Sequence, residues 1–194
     1  MSRPTGPGKS AAWSAKTPVK PGEALDRAFE LAELGPVHGP NPRVGCVVVD
    51  RWGAFAGEGF HAGAGTAHAE VAALAAARRR GANTVGATAY VTLEPCNHHG
   101  RTGPCSRALA EAGVGRVVYA LTDPNPAATG GAAYLSDRGV EVEGDVEAGR
   151  AIALNRAWCH AMTTGRPYVT LKVAASLDGR VAAADGSSQW ITGA

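Results

Sequence analysis

Two Pro-Cys pairs and one His-x-Glu triplet restrict the fold of this chain more than any other feature. The pairs end at Cys96 and Cys105, and the triplet HAE begins at His68. One imidazole and two thiolates fill three positions of a tetrahedral zinc ion, and water takes the fourth. A shared metal would require the fold to bring three separate segments to one point.

The carboxylate of Glu70 lies two residues beyond His68, so it is expected beside a bound metal as a proton-transfer group rather than as a ligand. Helices are predicted to begin near His68 and Cys105, and helix N-termini favour thiolate and hydroxide. A structural zinc site is the competing interpretation, because His98 or His99 could supply a fourth protein ligand.

The charge balance argues against a broad cationic surface for a polynucleotide. The chain has 19 Lys and Arg against 17 Asp and Glu, and several of the cations lie in the first 20 residues, where no acid occurs. No apolar run reaches the ~18 residues of a membrane span. The first 20 residues lack the apolar stretch of a secretory signal. We therefore predict no nucleic-acid partner, no membrane partner and, by default, a cytoplasmic location.

Strands alternate with helices through most of the chain, which predicts an α/β layer architecture with helices on both faces of a sheet. Thr66 is the expected N-cap of the second helix, and Pro104 is expected at the first position of the third. Predicted helices cover residues 23–34, 68–80, 105–112, a short stretch to 138 and about 146–162. Predicted strands cover 44–49, 54–60, 87–93, 116–121, 140–142 and 168–174, and a turn is predicted at 176–180.

The chain divides into three predicted parts. Residues 1–21 are rich in Pro, Gly, Ser and Lys and are expected to form a flexible tail. Residues 22–165 form the predicted zinc-binding domain. Residues 166–194 are fewer than the ~40 that an unaided domain usually needs, so they are predicted to be the truncated start of another domain.

Several motifs resemble the deaminase domain of the bifunctional riboflavin-biosynthesis deaminase/reductase, a family of the cytidine-deaminase-like superfamily. The resemblance covers about residues 22–165, and the runs TLKVAASLDGR and SSQWITG resemble the opening of that family's reductase domain. It implies a three-layer cytidine-deaminase-like fold with a central mixed sheet of about five strands. The matching residues are NPRVGC from Asn41, His61, HAEV from His68, TLEPCNHHGRTGPC from Thr92 and DPNP from Asp123.

The resemblance also implies a reaction, which is zinc-dependent hydrolytic deamination of 2,5-diamino-6-ribosylamino-4(3H)-pyrimidinone 5′-phosphate at its 2-amino group. Glu70 would transfer protons while Zn²⁺ lowers the pKa of bound water towards ~7. The implied zinc ligands are His68, Cys96 and Cys105, and the implied substrate contacts are Asn41, His61, His98, Arg101 and Asn125.

The sequence departs from the family pattern around the second cysteine. Eight residues separate Cys96 from Cys105, against two in the P-C-x-x-C signature of zinc deaminases. Asn97 stands where Ser is usual, and Gly103 stands where many relatives carry Pro. These changes flank the loop and concern its rigidity more than the ligands.

Two other functions stay open at this point. One is a nucleoside or polynucleotide deaminase of the same fold, and the other is a non-catalytic zinc-stabilised module. We predict no reductase activity, because residues 166–194 contain no glycine-rich phosphate turn. Association with a second copy or with a separate reductase chain also stays open.

Overall fold

The computed structural model describes residues 18–98 and 103–188. Most of the predicted tail, residues 1–17, lies outside the described residues. None of the described helices is both long and apolar enough to cross a membrane. The elements in chain order are α1 (Pro21–Glu33), β1 (Gly45–Val49), β2 (Phe55–Phe60), α2 (Ala69–Arg79), β3 (Thr88–Val91), α3 (Cys105–Glu111), β4 (Arg116–Tyr119), α4 (Gly131–Ser136), β5 (Glu141–Glu143), α5 (Ala148–Leu154) and α6 (Arg156–Thr164).

The strands form one mixed sheet in the order β2-β1-β3-β4-β5. β1 pairs antiparallel with both β2 and β3, whereas β3, β4 and β5 run parallel. The predicted five-stranded mixed sheet is therefore confirmed. Because β3 and β4 are parallel neighbours, the loops that follow them leave the sheet at the same edge.

Side chains alternate across the sheet and separate two apolar cores. Cys46 and Val48 face one core, to which α2, α3 and α4 contribute, while Val47 and Val49 face the other, to which α1 and α5 contribute. Helices thus cover both faces of the sheet, which confirms the predicted three-layer architecture.

Two helices approach β1 and β2 unusually closely because glycines face alanines. A Cβ atom at Gly45 would lie 1.9 Å from the carbonyl oxygen of Ala28 in α1. A Cβ atom at Gly57 would lie 2.5 Å from the carbonyl oxygen of Ala73 in α2. The close packing of α2 fixes the helix that carries Glu70 in its first turn and directly follows His68.

The structure corrects three local predictions. The single helix predicted at about 146–162 is interrupted at Asn155, which has φ −114° and ψ 29°. His68, not Thr66, is the N-cap of α2, because the Thr66 hydroxyl donates to the carbonyl of Gly63 instead. Pro104 is the N-cap of α3 rather than its first helical residue.

The segment that follows α6 differs from its prediction as well. The expected strand at 168–174 is absent from the described residues, and Leu171 within it is 84% exposed. A β-rich run forms a strand only when a neighbouring strand supplies its hydrogen bonds, and none pairs with it here. The predicted turn at 176–180 is confirmed, since the amide of Gly179 donates to Ser176. The division at residue 166 stays a prediction.

Candidate metal centre and active site

The fold brings together His68, Cys96 and Cys105 from three separate segments of the chain. His68 precedes α2, Cys105 begins α3, and Cys96 lies in the loop after β3. The imidazole Nδ1 of His68 lies 3.5 Å from the sulfur of Cys96 and 3.3 Å from that of Cys105. All three candidate ligand atoms lie within 4.8 Å of one another. The structure therefore places together the three residues predicted from the sequence.

The donor set and spacing fit a zinc ion. Zinc–sulfur bonds of about 2.3 Å and zinc–nitrogen bonds of about 2.1 Å separate tetrahedral ligand atoms by roughly the distances found here. Hydrogen bonding, first from the Cys105 thiol and then from His68, holds the pKa of Cys96 well below its usual range. A thiolate, the form that binds metal, is therefore favoured at Cys96.

No fourth protein ligand joins this cluster among residues 18–98 and 103–188. His98, one candidate for a structural zinc site, is not part of it, and His99 lies outside the described residues. A three-ligand centre leaves one position for water, as catalytic zinc sites require.

Glu70 lies in the first turn of α2, buried to 4% exposure, and lines the same cavity as His68 and Cys96. Burial, followed by the negative charge of Cys96, raises the pKa of Glu70 to about 7. A carboxyl group with this pKa can both accept and release a proton near neutrality.

A cavity of about 230 Å³ opens beside these residues. Of the predicted substrate contacts, Asn41, His61, His98 and Asn125 all line it. Arg101, the remaining one, lies outside the described residues.

Asn41 and His61 form a preorganised pair on the wall of this cavity. The Nδ1 of His61 lies 3.2 Å from the carbonyl oxygen of Ala67, so Nδ1 carries the proton and donates. The other ring nitrogen, Nε2, then accepts from the Asn41 side-chain amide at 2.9 Å. This arrangement orients the Asn41 side chain and leaves its carbonyl oxygen without a protein partner among the described residues.

His98 and Asn125 offer further polar groups to the cavity. The Nδ1 of His98 is buried and has no hydrogen-bond partner among the described residues. The side-chain oxygen of Asn125 accepts from the amide of Ala127, so its NH₂ group is the part left for a ligand. A buried polar atom without a partner is costly, which favours a ligand contact at His98.

The cavity residues that sequence reasoning missed include Glu94, Asp123, Trp158 and Met162. Glu94 and Asp123 follow the parallel strands β3 and β4, and the carboxyl ends of such strands commonly form binding sites. The position of Glu94 and Asp123 just after two predicted strands was therefore a signal that the sequence already contained. Nothing local links Trp158 and Met162 of α6 to the site. Burial raises the pKa of Asp123 to about 6.

Two protein-family models match the chain. The model of the cytidine and deoxycytidylate deaminase zinc-binding region matches residues 20–121. The model of the RibD C-terminal domain matches residues 167–194. The first match contains the three candidate ligands and Glu70.

Similar proteins are longer than this chain. The riboflavin biosynthesis protein RibD of Escherichia coli is 52% identical over 171 residues, which are 87% of this chain and 45% of that protein. The structure of a diaminohydroxyphosphoribosylaminopyrimidine deaminase/5-amino-6-(5-phosphoribosylamino)uracil reductase from Thermotoga maritima is 42% identical with a TM-score of 0.82, covering 88% of this chain and 49% of that one. Acinetobacter baumannii RibD is 52% identical with a TM-score of 0.80, covering 88% and 47%. The chain thus spans less than half the length of these relatives.

Proposed function

Since the chain belongs to the zinc-binding cytidine and deoxycytidylate deaminase family, we propose that it deaminates 2,5-diamino-6-ribosylamino-4(3H)-pyrimidinone 5′-phosphate. Water adds to the carbon that carries the 2-amino group, ammonia leaves, and the 5-amino-6-ribosylamino-2,4(1H,3H)-pyrimidinedione 5′-phosphate remains. The proposal is supported by the identity to RibD proteins and by the likeness to the T. maritima deaminase/reductase.

His68, Cys96 and Cys105 are the residues that would hold the zinc ion. Their one nitrogen and two sulfurs suit zinc, and their mutual distances of 3.3 and 3.5 Å suit a tetrahedral site. Bound zinc lowers the pKa of a water molecule so that it becomes nucleophilic near neutrality.

Glu70 is the proton-transfer residue of the proposed reaction. Its carboxylate takes a proton from the attacking water and delivers it to a ring nitrogen of the pyrimidine. It then takes the second water proton and delivers it to the departing amino group, which leaves as ammonia. Burial raises the pKa of Glu70 to about 7, so its carboxyl group can both accept and release protons near neutrality.

The polar cavity wall orients the pyrimidine. The carbonyl oxygen of Asn41 would accept from an amino group of the substrate, because its own NH₂ group is already held by His61. The buried Nδ1 of His98 and the NH₂ group of Asn125 supply further contacts. On the sequence alone, we assign the substrate phosphate to the guanidinium of Arg101.

The other parts of the chain complete the proposal. Residues 22–165 would form the deaminase domain, and residues 166–194 would begin a reductase-like domain, which is supported by the family match at 167–194. Association with a second copy of the chain or with a separate reductase chain is compatible with this role.

The placement of Glu70, buried beside three converging ligand atoms, carries the proposal. A structural zinc site has no use for such a carboxylate, and this favours catalysis over a non-catalytic module. The test is ammonia release by the purified zinc-loaded chain from the diaminopyrimidine nucleotide, its dephosphorylated form, cytidine and a single-stranded oligonucleotide. We expect turnover of the nucleotide, and Glu70→Gln should remove most of it while keeping the zinc.

The controls separate the alternatives. Preferred turnover of cytidine or of the oligonucleotide would replace the proposed substrate with that of a nucleoside or polynucleotide deaminase. Zinc binding without ammonia release from any of the four would favour the non-catalytic module. Normal turnover by Glu70→Gln would contradict the proton-transfer role.

A further inference from the structure

Glu94 has an unusual environment for a carboxylate next to the metal centre. The residue is only 4% exposed, and the four hydrogen-bond partners of its carboxylate within residues 18–98 and 103–188 are all donors. The amide of Asp123 and the hydroxyl of Thr129 donate to Oε2 at 3.2 and 3.4 Å. The amides of Gly130 and Ala132 donate to Oε1 at 3.2 and 3.0 Å. Only a group with two acceptor atoms can satisfy this set.

These four donors lie within residues 123–132, which are the end of the connection from β4 to α4 and the first two residues of α4 and are called the 123–132 loop below. The loop supplies Asp123, Asn125 and Ala128 to the cavity wall. It has little regular structure of its own, so bonds to the rest of the protein hold its position. Besides the bonds to Glu94, the amide of Asn97 donates to the carbonyl of Ala128 at 2.9 Å.

The loop also packs tightly on the segment that carries Cys96. A Cβ atom at Gly131 would lie 1.7 Å from the carbonyl oxygen of Pro95, so the two backbones are in direct contact. The amide of Asn125 donates to the side chain of Asp123 at 2.8 Å, which ties Asn125 to the first residue held by Glu94. A shift at Glu94 would therefore pass to the Asn125 side chain.

We propose that Glu94 is a positioning residue for the substrate, because its carboxylate holds the 123–132 loop in the conformation that presents Asn125 to the pyrimidine nucleotide. This inference rests on the proposed function. The Glu94→Gln change keeps the shape but turns one acceptor into an NH₂ donor. That NH₂ group would face two other donors, and the loop has to move to relieve the clash.

The experiment compares the zinc-loaded wild type with Glu94→Gln, Thr129→Val and the exposed control Glu111→Gln. In Glu94→Gln, one or two of the hydrogen bonds that hold the 123–132 loop are lost, so part of the binding energy of the nucleotide is spent on ordering the loop. We therefore expect KM for the nucleotide to rise about tenfold to hundredfold, with a much smaller change in kcat. Thr129→Val removes only the longest of the four bonds and should raise KM less. Glu111→Gln should match the wild type. Zinc content should be equal in all four proteins.

Hydrogen exchange supplies a readout that needs no substrate. The amides of Gly130 and Ala132 should exchange faster in Glu94→Gln than in the wild type, while those of β1 stay unchanged. Wild-type KM in Glu94→Gln, or a fall in kcat alone, would overturn the inference while the proposed function stands. If the wild type itself releases no ammonia, the proposed function fails. In that case, amide exchange at Gly130 and Ala132 that is the same in Glu94→Gln as in the wild type would separately overturn the positioning role. If Glu94→Gln does not fold, an unchanged KM and unchanged exchange in Thr129→Val overturn the inference.

Discussion

Replacement of Asn155 with Ala should lower the free energy of unfolding by about 2 to 3 kcal/mol, because it leaves two backbone groups of Arg43 unpaired. Asn155 is 7% exposed and lies at the break between α5 and α6. Its side-chain oxygen accepts from the amide of Arg43 at 2.8 Å, and its NH₂ group donates to the carbonyl of Arg43 at 3.0 Å. An unpaired buried group costs about 1–3 kcal/mol, and because Arg43 is half-buried, each of its two groups should cost about 1 to 1.5 kcal/mol.

Asn155→Asp separates the hydrogen bonds from packing. The carboxylate is nearly isosteric with the amide and still accepts from the amide of Arg43, but at neutral pH it has no proton for the carbonyl. We expect a loss at least comparable to that of Asn155→Ala. The assay is urea denaturation of the zinc-loaded proteins at pH 7.5, with the free energies extrapolated to water.

Asn83→Ala is the matched control. Asn83 is exposed, and its side chain accepts from the nearby amide of Val85, so its removal should change stability by less than about 0.5 kcal/mol. The reasoning is refuted if Asn155→Asp is as stable as the wild type. It is also refuted if Asn155→Ala lowers the free energy of unfolding by no more than Asn83→Ala does. The variants should also raise the KM of the nucleotide, because α6 contributes Trp158 and Met162 to the cavity.

Three further predictions follow from the same structure. Gly131→Ala should weaken zinc binding, measured by titration with a competing chelator, because the new Cβ atom would lie 1.7 Å from the carbonyl oxygen of Pro95. The control is Gly149→Ala in α5, which should leave zinc binding unchanged because a Cβ atom at this exposed position would meet nothing within 4 Å. Glu70 binds more protons in the folded than in the unfolded protein between pH 4.5 and about 7, so in the metal-free protein its ionisation destabilises the fold as pH rises. In urea denaturation, the free energy of unfolding of Glu70→Gln should exceed that of the wild type by about 3 kcal/mol at pH 8 and by much less at pH 5. An equal difference at both pH values would be evidence against this assignment. Arg101→Ala should weaken turnover of the phosphorylated substrate far more than of its dephosphorylated form in ammonia-release kinetics, and an equal loss on both would remove Arg101 from phosphate binding.

Local chemistry in the sequence was enough to predict the candidate metal centre. His68, Cys96 and Cys105 could be assigned because few residue types bind zinc, and Glu70 because a carboxylate two residues from a ligand suits proton transfer. The strands and helices around them could be placed because apolar periodicity and breaking residues act over a few positions.

Long-range partners decided what the sequence left open or predicted wrongly. Helical periodicity continues through Asn155, but its side chain pairs with Arg43, 112 residues away, and this pairing accompanies the break between α5 and α6. The strand expected at 168–174 needed a neighbouring strand, and none pairs with it in the described residues.

The same reason explains why the role of Glu94 could not be read from its neighbours. Its motif shows a carboxylate beside Cys96, while the four donors that surround it lie 29 to 38 residues further along the chain. The sequence by itself determined which groups can bind metal and move protons, because those properties belong to single side chains. Only the tertiary structure decided how the cavity wall is held, because hydrogen bonds between distant segments form only after the sheet has brought those segments together.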